Sequence, residues 1–394
     1  MRDTFAPNPG RPVGRPSSTL AGMRIPAGVV PSPLFISEKE IHMKSGRSLQ
    51  SLAQELDRQR ISKRDLVLPS SLIHHTTRED GETELVVEEP ESPRRYDVTP
   101  LARRQLADKL RIPLAYFERM RTEQPTLLDR NVNTWLEQEG DRHMLRTLDG
   151  RVRAVLSDRY RRLDNHDLAE HVLPILGHLD GRVESAELTE TKMYIKYILP
   201  RLQYEMRVGD VVQAGIVISN SEVGHGTLTV QPLVFRLVCS NGMIAVDQSL
   251  RKTHLGRALG SDNSVTIFQD DTLQADDRAF FLQVRDVVQS ALSEATFLQV
   301  AAKMQKTMGI ELKGSPVKTV EVLRQRYTLT EAEGDGVLRH LITGGDLSGY
   351  GLVNAVTHYS QEVGDYDRAT EFEALGGKLV ELSSREWKGL AEAA

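Results

Sequence analysis

Residues 210–257 read DVVQAGIVISNSEVGHGTLTVQPLVFRLVCSNGMIAVDQSLRKTHLGR, the longest low-charge, β-branched run in the chain. Val212, Ala214, Ile216 and Ile218 fall on alternate positions, the spacing of one strand face. Asn220 to Gly226 supplies turn residues, and a second strand follows with Leu228 and Val230 on one side. Past Gln231-Pro232 the apolar positions resume at Leu233, Phe235 and Leu237, one step out of phase. A phase change beside a proline predicts a β-bulge, because proline is confined to sheet edges and bulges. Ser240-Asn241-Gly242 reads as a turn, and Arg251, Lys252 and Arg257 form a basic exit. A long bulged hairpin in a central antiparallel sheet is the expected heart of the fold.

Upstream, Met193, Ile195, Tyr197 and Leu199 alternate with Lys192, Tyr194 and Lys196, so residues 183–199 predict another hairpin. The Lys/Tyr face suits a single nucleic-acid strand, rings stacking on bases while cations meet phosphates. It is also the composition of an ordinary exposed sheet face. Arg142 to Arg162 is the densest basic stretch, with seven arginines and two aspartates. Within it Val152, Ala154 and Leu156 alternate with Arg151, Arg153 and Val155, predicting a half-buried strand. SDRYRRL follows, carrying Arg159, Arg161 and Arg162. Asp164 or Asn165 then caps a helix with Leu168, Val172 and Leu173 inside, which Pro174 should kink or end. Strand, basic turn and helix start together suit phosphate, since Arg forks bind it bidentately and a helix start offers free N–H groups. Local ion pairs to Asp158 and Asp164 on a solvated face would use the same residues.

Thr99 as N-cap with Pro100 at the first helical position starts a helix, and Pro113 opens the next with Leu114, Phe117 and Met120. The pair has a helix-turn-helix outline, although Arg111 stands where a glycine would ease the bend. Core packing and groove reading both fit it. Residues 47–60 place Leu49, Leu52, Ala53 and Leu56 on one helical face. Thr76 to Pro93, acidic and bounded by proline, reads as a linker or exposed edge segment. Residues 1–36 hold seven prolines and cannot bury enough apolar surface to offset the entropy of ordering them. Near the C-terminus, Val284, Val287, Val288, Ala291, Ala295 and Leu298 predict one long helix from about Asp276 to Met308. Ser315-Pro316, the Thr330/Glu333 capping box, Ser348 and Asp365 mark further helix starts. The expected class is α+β: a disordered basic tail (1–46), a leader helix and acidic linker (47–98), an α+β core (99–261) and a C-terminal helical bundle (262–394).

The 394 residues carry a net charge of −5, which argues against a general polyanion binder, yet a local basic groove is compatible with it. One cysteine, Cys239, excludes an internal disulfide or a cysteine-based zinc site and fits a reducing cytoplasm. On a strand it reads as an inert core thiol. No run approaches the length of a membrane span and the N-terminus lacks an apolar signal core, so a soluble cytoplasmic protein is expected. No histidine cluster has recognisable metal spacing, and no nucleotide-binding glycine motif is present, so neither metal nor cofactor is expected. His225, between Gly224 and Gly226, sits where a ligand could approach the backbone closely, or at a plain hairpin tip.

RAVLSDRYRRLDNHDL (153–168), GIVISNSEVGHGTLTVQPLVFRLVCSNGM (215–243) and GLVNAVTHYSQEVGDYDRATEFEALGG (351–377) resemble a family of phage- and plasmid-borne proteins, the phage/plasmid-like proteins, whose domain is of unknown function. The resemblance runs from about Thr99 to Leu382 and implies a mobile-element setting in a bacterial host. The element order is also similar, at fold level, to RecT/Redβ-type single-strand annealing proteins. A non-enzymatic DNA-binding protein is therefore expected, one that favours single strands and assists annealing or recombination as a homo-oligomer, with phage or host recombination proteins as further partners. Its contacts would be Arg151, Arg153, Arg159, Arg161, Arg162, Lys192, Tyr194, Lys196, His225, Arg251, Lys252 and Arg257. The rival readings are a duplex regulator using residues 99–121 and an anti-defence factor acting through its acidic helices.

Overall fold

Among the described residues eleven strands build two sheets, each packed against helices. The structure, a computed structural model, describes residues 46–160, 162–246 and 270–393. The expected basic tail and basic exit, with Arg161, Arg251, Lys252 and Arg257, lie outside the described residues.

The first sheet contains β1 (Arg64–Pro69), β2 (Ile73–Thr77), β3 (Thr83–Val87), β4 (Arg94–Val98), β5 (Arg142–Leu148) and β6 (Arg151–Ser157), in the order β1-β5-β6-β4-β3-β2. Only β4 and β6 pair in parallel. Their connection carries α2 (Pro100–Lys109), α3 (Leu114–Glu123) and α4 (Pro125–Glu139). Leu106, Phe117, Leu128 and Val132 from these helices meet Leu85, Val98, Leu145 and Val152 of the sheet in one apolar cluster. Residues 76–93 are thus not a linker. Thr83, Leu85 and Val87 are buried in alternation along β3, a signal that the surrounding glutamates obscure. The division expected at residues 98/99 runs through a unit whose sheet draws strands from both sides. The outer edge of β2 is blocked by α4: Asn133 accepts from the His75 N–H at 2.7 Å and donates to its carbonyl at 3.0 Å, and Asp129 accepts from the Thr77 N–H at 3.0 Å. Side chains here substitute for a missing strand and close an edge that could otherwise recruit another chain.

The second sheet is an antiparallel meander in chain order, β7 (Arg182–Leu188), β8 (Met193–Arg207), β9 (Asp210–Asn220), β10 (Thr229–Arg236) and β11 (Asn241–Ile244). Both expected hairpins are present. The expected bulge at Pro232 is absent: β9 and β10 pair in unbroken register from Thr229↔Ser219 to Arg236↔Val212. The apolar phase changes there because both faces of β10 are buried, Val230 and Val234 on one side and Leu233 and Phe235 on the other. Pro232 is tolerated because its carbonyl takes the Ala245 N–H at 2.8 Å, so its nitrogen points the same way, past the end of the short β11. The sheet's register shifts fall instead in β8, between Leu199 and Gln203 and between Glu205 and Arg207, and in β7, between Val183 and Ser185. Cys239 lies in the β10–β11 turn rather than on a strand, half-buried, with Arg236 Nη1 donating to its Sγ at 3.1 Å.

One face of the meander is covered by α1 (Leu49–Ser62), α5 (Asn165–Gly177) and α6 (Asp270–Ala291), which pack Leu52, Val172 and Val288 on Ile195, Ile216 and Ile218. The helix through Pro174 runs on to Gly177. The C-terminal helices α7 (Glu294–Thr307), α8 (Pro316–Tyr327), α9 (Glu331–Gly344), α10 (Gly349–Tyr359), α11 (Tyr366–Val380) and α12 (Ser384–Ala391) enclose Tyr350, Leu352, Phe372 and Trp387. The single long helix expected from Asp276 is two, because Ser293 caps α7 by accepting the Thr296 N–H. Among the described residues no helix is long and apolar enough to cross a membrane.

Candidate nucleic-acid interface

The two sheets meet where the β9–β10 turn reaches the end of β6, and this junction gathers much of the expected cation set. Ser221 organises the turn: its Oγ accepts from the Val223 and His225 N–H groups at 3.3 and 2.9 Å and donates to the Thr191 carbonyl at 2.8 Å. Gly224 adopts φ +73°, and a Cβ there would stand 2.7 Å from Leu156 Cδ2. The glycine therefore serves close approach within the chain. Gln105 of α2 bridges the two sheets, donating to the Val223 carbonyl at 2.7 Å and accepting from the Val155 N–H at 2.9 Å. Tyr160 Oη donates to the Ser221 carbonyl at 3.0 Å.

Beneath the turn lies a buried ion network. Glu222, 4 % exposed, caps α5 by accepting the Asn165 N–H at 2.6 Å and pairs with Arg153 and with Lys63 at 3.4 Å. Asp164 accepts from Lys63 Nζ and Arg146 Nη2, each at 2.6 Å. Arg146, 1 % exposed, also forks onto Asp65 at 2.9 and 3.1 Å and donates to the Glu222 carbonyl at 2.9 Å. Burial works to raise the Glu222 carboxyl, but the Arg153 and Lys63 charges outweigh it and hold the group below the usual carboxylate range. Asp164 is depressed in the same way, burial being overcome by Arg146 and Lys63.

The expected contact residues divide around this network. Arg153 is drawn inward to Glu222, and Arg162 reaches Asp65 at 3.3 Å while its side chain stays half exposed. Arg159 and His225 are exposed, and Arg151 is exposed with no ion-pair partner among the described residues. Lys192 is half-buried, without an ion pair among the described residues, its stem 3.4 Å from where a Gly226 Cβ would be. Tyr194 and Lys196 do not belong to the surface. The sheet face that carries them is roofed by α11, so Tyr194 packs at 5.4 Å from the Tyr366 ring. Lys196 Nζ lies 2.6 Å from Glu373 Oε2 and 4.7 Å from the centre of the Tyr366 ring. Burial opposes the Lys196 charge, but Glu373 and Tyr366 raise the ammonium's pKa, so it stays protonated.

Asp65 and Glu222 were not legible as partners of these arginines, nor Lys63 and Arg146 as cations sharing the same carboxylates. The available signal was Arg146 itself, a charge in the middle of the otherwise apolar MLRTL run, which calls for a buried counter-ion. His166, Asp167 and Glu170 bring ligand atoms within 4.8 Å of one another at the start of α5. His166 Nε2 lies 3.1 Å from an Asp57 carboxylate oxygen, and carboxylates at a helix start need no metal to explain them.

No curated protein and no solved structure matches the chain. A family model described as a domain of unknown function, DUF932, matches residues 152–376, more than half of the sequence. The match takes in nearly all of β6, the Glu222 turn, the entire meander and most of α11. The chain belongs to the DUF932 family of domains of unknown function.

Proposed function

We propose that the chain is a non-enzymatic nucleic-acid-binding protein of a phage or plasmid that takes single strands and assists annealing or recombination as an oligomer. One observation carries this reading. The carboxylates at the sheet junction, Asp65, Asp164 and Glu222, are consumed by Lys63, Arg146 and Arg153. The outward groups are then Arg151, Arg159, Arg162, Lys192 and His225, against the exposed Asp158, Glu190 and Asp149, the last of which is paired with Arg58 at 2.8 Å. A rim whose acids are neutralised from within presents a positive field to phosphates although the whole chain is acidic. The corrected contact set omits Tyr194 and Lys196, and Arg153 acts by holding the turn.

The test is anisotropy of labelled single-stranded and duplex oligonucleotides at low salt, with light scattering for assembly. Tighter binding of the single strand, steeply weakened by salt, supports the reading. Preference for one duplex sequence would favour a regulator instead, and absence of binding to either would end it.

A further inference from the structure

Far from the sheet junction, α9 and α10 meet through a pair of histidines. The His340 ring of α9 and the His358 ring of α10 lie 4.3 Å apart, centre to centre, at a tilt of 41°. The His340 side chain is 14 % exposed, and His358 is half-buried. Just past the end of α10, Glu362 reaches back to α9. Its Oε1 accepts from His340 Nε2 at 2.9 Å, and its Oε2 accepts from Arg339 Nη2. Both carboxylate oxygens are in use, and His358 has no carboxylate of its own among the described residues. Glu362 belongs to the connection between α10 and α11, the helix that roofs Lys196. The same corner is tightly packed. A Cβ on Gly336 of α9 would stand 2.1 Å from the Tyr359 ring, and that ring meets Phe372 of α11 edge-on at 5.0 Å.

We propose that His340 and His358 form an acid-released latch, which holds the α10–α11 connection against α9 while His358 is neutral and frees it when His358 takes a proton from solvent. The local charges carry this. A proton on His358 adds a positive charge beside His340, with Arg339 next along α9 and Arg236 of β10 on another side. Arg236 is forked onto Asp210 at 2.6 and 2.8 Å. Glu333, which faces Tyr359, is forked by Arg368 at 2.8 and 2.9 Å. The acid that faces the pair is Glu362, already shared. Burial, His340 and Arg236 accordingly hold the His358 imidazolium below the ordinary histidine range, and Glu362 opposes them only in part. The closed corner resists a proton that an opened one accepts. Its stabilisation is complete above the unfolded value of about 6.5 and drains as pH falls through that value toward the lower folded one. This window lies above the carboxylate range of the sheet junction. The latch goes beyond the nucleic-acid reading and does not depend on it.

Two measurements on the full chain test it. In an NMR titration the His358 ring proton should turn over below the ordinary histidine midpoint, and His340→Gln should move that midpoint upward by removing the neighbouring ring. Amide hydrogen exchange, corrected for its intrinsic pH dependence, should show residues 360–365, the α10–α11 connection, losing protection between about pH 8 and pH 5. His358→Gln, which cannot take the proton, should hold that protection level over the same range. An ordinary or raised His358 midpoint would overturn the latch. So would the same loss of protection in the natural chain and in His358→Gln. The midpoint in the natural chain decides the matter even where a variant folds poorly.

Discussion

Glu222 ties three parts of the chain to the turn that carries His225: it caps α5 and holds Arg153 and Lys63. Glu222→Ala would leave Arg153 without its counter-charge and Lys63 with Asp164 alone, a change that costs about 3 kcal/mol or more; urea unfolding measures it. The same group sets an acid limb. Glu222 and Asp164 are both depressed in the folded protein, so their stabilisation is complete above the unfolded values of about 4 and drains as pH falls through the folded ones. Glu222→Gln should therefore lower stability at neutral pH and flatten its loss on acidification. An unchanged acid limb in urea melts would show that the network does not carry it. Lys196 makes the converse case. Lys196→Met should destabilise by about 3–5 kcal/mol because Glu373 is left buried, and adding Glu373→Leu should restore most of it. If the double variant is no better than the single one in urea melts, the pair is not the source of the loss.

At the scale of elements, cap and turn chemistry was the most legible part of the sequence. Thr99, Ser348, Asp365 and the Thr330/Glu333 box start helices as their residue types predict. Ser293 was readable by the same rule but is masked by the apolar spacing that continues across it. Ser293→Ala should cost about 1 kcal/mol, seen as a lowered melting temperature, with no loss if α6 and α7 behave as one rod. The failures share a physical cause. Periodicity reports which positions are apolar, not how many faces are covered. The Lys/Tyr face of β8 looked solvent-bound until α11, far away in the chain, closed over it. The phase change in β10 likewise signals burial on two sides, not a bulge. In β3 the alternation spans only five residues among acids, too short to stand out.

For the molecule as a whole, the α+β class and the C-terminal helices were legible, while the division into two sheets was not. The sheet junction depends on pairs of Lys63 and Arg146 with Asp164 and Glu222, and of Asp65 with Arg146 and Arg162, separations that no local pattern reveals. The basic rim was legible as composition, because Arg151, Arg159, Arg162 and Lys192 lie in recognisable turns and strands. Which arginines face outward was not, since that depends on buried carboxylates. The proposed binding of nucleic acid requires that rim to be positive. The decisive quantity is the slope of log affinity against log salt for single-stranded oligonucleotides, comparing the natural chain with Arg151→Ala/Lys192→Ala. Neither residue is ion-paired among the described residues, so folding should be unaffected. A positive rim predicts weaker binding by the double variant and a slope shallower by about 0.7 for each phosphate that it no longer neutralises. Equal affinity and equal slope in the two proteins would rule the rim out as the binding surface.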